Sequence, residues 1–173
     1  MATTAMKSLG WYDILVREGI HPPVTMIDNG GAVFPGYAVT CTGETFPDVS
    51  KADAIGDSVF GVAGLLENQD IGIVYTDNEE IPIYLTGSGA IVRMYHSLSG
   101  GSIVAGDILV ANCTDGGGHV ETLAHALTDF ITDGSAGTIL ATQIKVFFSL
   151  VGRAMETHAS SGTTTPIKVL LSI

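Results

Sequence analysis

Charge is scarce in this chain, and positive charge most of all. Only 14% of its 173 residues are charged, with 18 acidic against 7 basic side chains and a net charge of −11. So few Lys and Arg residues argue against direct binding of nucleic acid or an anionic membrane, both of which draw on clusters of cations. Long uninterrupted apolar runs are also lacking. Lys145 breaks the most apolar stretch, so no transmembrane span is expected. The N-terminus has no basic segment followed by an apolar one and a small-residue cleavage site, so no secretory signal is expected. Cys41 and Cys113 are too few for a disulfide framework and read as reduced, packed thiols. Asn112-Cys113-Thr114 matches a glycosylation sequon, which has no weight without a secretory route.

Signatures of chemistry are equally sparse. The histidines stand at 21, 96, 119, 125 and 158, with neither CxxC nor HExxH spacing. His119 and Glu121 would share one face of a strand, and His125 follows six residues after His119, but two ligands do not make a metal site. Asp115 with Gly116 to Gly118 resembles a calcium loop in composition alone. Gly87-Ser88-Gly89 lacks the Lys-Ser/Thr of a phosphate loop and reads as a tight hairpin. No Gly-x-Ser-x-Gly elbow occurs, and Glu79-Glu80 reads as solvated charge in a polar turn. No catalytic residue, metal or cofactor is expected, and the chain does not read as an enzyme.

What is present favours β-structure. The sequence is 46% hydrophobic with 22 glycines, and its polar side is largely Thr, Ser and Gly, which suit strands and turns. Apolar runs at 24–27, 33–42, 58–66, 71–75, 81–85, 90–95, 103–110, 119–123, 138–155 and 167–173 are expected strands. The polar stretch 43–57 reads as a loop. Val120, Leu123, Ala124, Leu127, Phe130 and Ile131 fall at helical spacing and predict one short helix. Residues 1–23 form an N-terminal arm, stopped by Pro22-Pro23. Trp11, Tyr12, Ile14, Leu15 and Val16 make it the candidate contact with a partner protein or subunit. The arm packs on its own domain as a short helix or strand, or reaches a neighbouring molecule.

The chain also repeats itself. Gly-Ala-Val-Phe-Pro-Gly-Tyr-Ala-Val-Thr at 31–40 aligns with Gly-Ser-Ile-Val-Ala-Gly-Asp-Ile-Leu-Val at 101–110, Gly36 on Gly106. An apolar run ending in Glu follows each, through Gly64 and Gly152, and then a Pro-Ile strand, through Pro82 and Pro166. Gly36 and Gly64 are 28 residues apart and Gly106 and Gly152 are 46, so the second unit carries about 18 extra residues, assigned to 124–141. Asp107 stands opposite Tyr37 in this alignment, so the acid is not part of the repeated pattern and the stretch reads as a fold-building bend. The expected fold is all-β. It is a compact barrel or sandwich over 24–173 with related units at about 31–87 and 101–173, an N-terminal arm, and at most one short helix.

Aliphatic-x-Gly-Asp-Ile-Leu-Val, a Gly-rich hairpin, a strand ending Val-Gly-x-Ala-Met-Glu and a closing Pro-Ile-Lys-Val-Leu-Leu strand resemble the small β-barrel decoration (cement) proteins of tailed-virus capsids. The resemblance spans roughly residues 24–173 as an order of elements. It implies a structural virion protein that binds the major capsid protein on the outer shell and self-associates as a homotrimer, made in the host cytoplasm. Two alternatives stand beside it. One is a trimeric fibre, tail or surface-layer module that binds glycans or a host surface, and the other is a β-barrel enzyme of unknown reaction.

Overall fold

The computed structural model describes residues 14–17, 19, 21–30, 32–41, 47–54, 56–66, 72–97, 101–111, 117–129, 144–159 and 166–172. Among the described residues, eleven short strands carry the fold: β1 (Leu15–Arg17), β2 (Val24–Asp28), β3 (Ala38–Cys41), β4 (Asp48–Lys51), β5 (Val59–Ala63), β6 (Glu80–Leu85), β7 (Ile91–Tyr95), β8 (Ile108–Ala111), β9 (Val120–Thr122), β10 (Leu150–Ala154) and β11 (Pro166–Leu170). Helix α1 (Leu123–Asp129) follows β9, and a helical turn over 144–149 ends as a 3-10 turn at Phe147–Ser149. The protein is all-β, as its composition predicts.

β2-β4-β3-β5-β6 close into a barrel. The remaining strands form a sheet in the order β1-β7-β11-β10-β8-β9. The end of β7 meets β9 through a single parallel bridge between His96 and Val120, where the Ser97 N–H donates to the Val120 carbonyl at 2.9 Å. The first barrel closes by the same device. Asp28 pairs in parallel with Val49, and the Asn29 N–H donates to the Val49 carbonyl at 2.9 Å. The second sheet is therefore a second barrel, with β1 added to the outer side of β7.

Pairing register shows that the two barrels are copies. Val24, Thr25, Met26 and Ile27 face Ile83, Pro82, Ile81 and Glu80, while Val92, Arg93, Met94 and Tyr95 face Val169, Lys168, Ile167 and Pro166. Val39 lies opposite Gly61 and Leu109 opposite Gly152, and each pairing then skips one residue, Phe60 and Val151. Gly36 and Gly106 sit at φ 87° and 97°, a region that costs glycine nothing, and their N–H groups donate to Ala63 and Ala154, each at 2.8 Å. Strands β2 to β6 and β7 to β11 pair in the same order, each unit beginning one strand earlier than the repeats at about 31–87 and 101–173 read from sequence.

Register corrects the details. Gly152 corresponds to Gly61 rather than Gly64, and Pro166 to Glu80 rather than Pro82. A Cβ at Gly61 would stand 2.5 Å from the Tyr84 carbonyl oxygen, and one at Gly152 would press on the Leu170 carbonyl oxygen. Close backbone approach explains this glycine. The extra residues of the second unit lie between β9 and β10 and include α1, as the helical spacing predicts.

Other expectations change. Residues 72–75 are not a strand; Ile73 and Val74 are exposed, and only Tyr75 turns inward, its N–H donating to Val33. The polar stretch 43–57 contains β4, which contributes a single buried side chain, Val49. The stretch 138–155, expected as one bent strand or two, holds β10 in its last part and a helical turn over 144–149 before it, a second short helical piece beyond the one predicted. Gly87-Ser88-Gly89 is no hairpin, because β6 and β7 do not pair; it links the two barrels.

Alternation places the core. In β7 and β11 every second residue is buried, Val92, Met94, Ile167 and Val169, and Met26, Ile81 and Ile83 do the same in the first barrel. The second core continues into Ala38, Ala52, Val59 and Val62, which point outward from the first barrel. Those four side chains form the seam that joins the copies.

Candidate functional site

Polar groups in the seam are absorbed by structure. Tyr37 packs edge-on against Tyr95 and His119, with ring centroids 5.9 and 5.0 Å away, and its hydroxyl lies 3.2 Å from His119 Nε2. Burial raises the phenol pKa of both Tyr37 and Tyr95, so they remain neutral and pack as amphipathic rings.

Three other histidines fall into separate pairs, while His21 is exposed. Glu121, buried in β9, lies 2.8 Å from His125 Nδ1 one helical turn further on. The same turn begins with Thr122 accepting the His125 N–H at 3.1 Å, a side-chain cap that fixes where α1 starts. His96 and His158 bring their Nδ1 atoms within 3.0 Å of each other. So His119 and Glu121 share the outer side of β9, as predicted, but engage different partners. Among the described residues, no group of three or more His, Cys, Asp or Glu side chains is placed to hold a metal.

Carboxylates flagged in the sequence serve turns. Asp107 accepts the Val104 N–H at 2.8 Å, closing the bend around Gly106, and Glu79 accepts the Thr76 N–H at 2.7 Å. Cys41 is exposed rather than packed, with its thiol pKa raised by partial burial, and Cys113 lies outside the described residues. No helix among the described residues is long and apolar enough to cross a membrane.

Of the arm residues singled out above, Trp11 and Tyr12 lie outside the described residues. Ile14 is buried in the chain's own core, and its carbonyl accepts the Arg93 N–H at 2.7 Å. Leu15 and Val16 belong to β1, paired with β7 of the same chain. Exposed apolar side chains lie elsewhere, Ile73 and Val74 ahead of β6 and a larger group in the second unit. Ile144, Phe147 and Phe148 are 52%, 51% and 56% exposed, and Ile108 is 37% exposed. Ile108, Leu123, Phe147, Leu150 and Arg153 line a groove of ≈ 270 Å³, and a neighbouring depression of ≈ 450 Å³ continues past Leu127. Leu123, Leu127 and Leu150 pack on a small cluster of their own with Val110, Ala126 and Val146, which supports the groove from beneath. Geometry suits this face to bind a complementary apolar surface, with Arg153 as a cation at its edge.

The sequence held one signal for this face. Adjacent Phe147 and Phe148 cannot both point into a barrel from a strand, so a strand through them had to expose one. No protein-family model matches the chain, and no curated protein matches it.

Proposed function

We propose that this chain is a structural virion protein that binds the outer capsid surface through the major capsid protein and stabilises the shell as a homotrimer. The observation that carries the reading is the apolar face formed by Ile108, Leu123, Phe147 and Leu150 on the second barrel. Solvent contact at so many large side chains on one face is costly, and a partner surface removes that cost. Support also comes from the charge distribution. Residues 24–90 hold ten acidic and one basic side chain, and residues 91–173 six acidic and four basic ones. An acidic first barrel is available to a basic or neutral shell while the second barrel associates through apolar contacts. The test is co-sedimentation of the purified chain with purified parent capsids lacking it. Saturable binding at one copy number per shell position is expected; a chain left in the supernatant overturns the reading.

A further inference from the structure

Two copies of one fold within a chain allow each surface of one barrel to be compared with the same surface of the other. Register pairs Ala38 with Ile108, Ala52 with Leu123, Val59 with Leu150 and Val62 with Arg153. On the first barrel this face is fully covered: Ala38, Ala52 and Val62 have no exposed surface, and Val59 has little. What covers it is the second barrel. On the second barrel the same face is the open apolar groove.

The contact between the barrels is not two-fold. The Ala38 N–H donates to the Gly118 carbonyl and the Gly118 N–H to the Ala52 carbonyl, each at 2.8 Å. Tyr37 stacks on Tyr95 and His119. A Cβ at Gly36 would stand 3.0 Å from the Arg93 carbonyl oxygen, whereas one at Gly106, its counterpart, would meet nothing within 4 Å. A two-fold contact would have buried both bends alike. The two barrels instead meet largely through unlike surfaces, with a further contact where the Ser149 hydroxyl donates to the Asp57 carbonyl at 3.2 Å and Lys145 packs beside Gly56, and contact through unlike surfaces leaves a face on each barrel that its counterpart uses. On the second barrel this is the face of Ile108, Leu123, Leu150 and Arg153. On the first it is the counterpart of Arg93, Tyr95 and His119, namely Thr25, Ile27 and Asp48. Thr25 is exposed, and Ile27 and Asp48 are half-buried.

We infer that the open face of the second barrel docks a second copy of this chain, on the outer side of β2 and the start of β4 of that copy's first barrel. The contact between copies repeats the one that already joins the two barrels within the chain. Charge favours this pairing. One open face carries Arg153 where its covered counterpart carries Val62, and the other carries Asp48 where its counterpart carries His119. First barrels, with ten acidic residues against one basic, repel one another, which disfavours the wrong pairing. The inference rests on the self-association in the proposed function and does not depend on capsid binding.

The experiment is light scattering after size-exclusion chromatography on the intact chain and two surface variants, with circular dichroism as the folding control. The unmodified chain is expected to be a closed oligomer. Ile108→Glu blocks one open face and Thr25→Arg the other, and each is expected to weaken self-association about 30-fold or more while keeping the fold. A mixture of the two variants retains one intact pair of faces and is expected to form dimers and nothing larger. Arg153→Glu replaces Ile108→Glu should that chain fail to fold. An oligomer unaffected by the substitutions, or variants that stay monomeric when mixed, overturns the docking surface and leaves the trimeric reading standing. A monomeric unmodified chain overturns both.

Discussion

Gly61 and Gly152 occupy the same position in two barrels, and the cause in each is a neighbouring strand's carbonyl too close to admit a side chain. Gly61 lies under Tyr84 and Gly152 under Leu170, beside the residue skipped in each strand pairing. Both units keep this backbone approach although the surrounding side chains differ.

Substituting either glycine therefore forces strands apart. Gly61→Ala and Gly152→Ala are each expected to destabilise the chain by about 1–3 kcal/mol, the usual cost of overpacking. Gly72→Ala is the control, since a Cβ there meets nothing within 4 Å. It should stay within about 0.5 kcal/mol of the unmodified chain. Chemical denaturation measures all three, and equal effects at Gly72 and Gly152 contradict the close approach.

Ile14 anchors the segment before the first barrel. Its side chain is buried with Val92 and Met94 while its carbonyl joins the β7 ladder. Ile14→Ala is expected to cost about 2 kcal/mol or more. Limited proteolysis should then cut ahead of Val24 sooner than in the unmodified chain. Unchanged stability would assign Ile14 to an intermolecular contact instead.

Tyr75 makes the fold sensitive to alkali. Burial raises its phenol pKa well above the ordinary 10.0, with smaller contributions from Glu79, Tyr84 and Asp28, and its hydroxyl donates to the Gly64 carbonyl. An acid whose folded pKa is raised contributes stability below the unfolded pKa and loses it as pH rises through the folded one. Stability should therefore hold up to pH 10 and fall above it. Tyr75→Phe should lower stability near neutrality by about 1–3 kcal/mol, by leaving a buried carbonyl unpaired, and flatten the alkaline fall. Thermal melts from pH 7 to 11 check both parts, and an alkaline fall no shallower in the variant contradicts the role of Tyr75.

Much of this architecture was legible because period-two burial leaves a strong imprint. Strands such as Ile81-Pro82-Ile83 and Ile167-Lys168-Val169 bury alternate residues and read directly as strands. The apolar-Gly-apolar bend at Gly36 and Gly106 announced the duplication. β4 was hidden because this four-residue barrel strand needs only Val49 to be apolar. Residues 72–75 misled for the opposite reason. Ile73 and Val74 favour strands locally, but tertiary context leaves them in solvent. The open face was illegible because Ile108 sits in the same apolar-Gly-apolar pattern as Ala38. Only the packing of one barrel on the other separates a seam from a surface.

The most direct measurement is a cryo-electron microscopy reconstruction of the parent particle at side-chain resolution. The expected map shows this chain on the outer shell, with Ile108, Leu123 and Leu150 of each copy seated on β2 of its neighbour's first barrel. Absence of the chain from the shell contradicts the proposed function, and its presence with that face open to solvent contradicts the contact between copies.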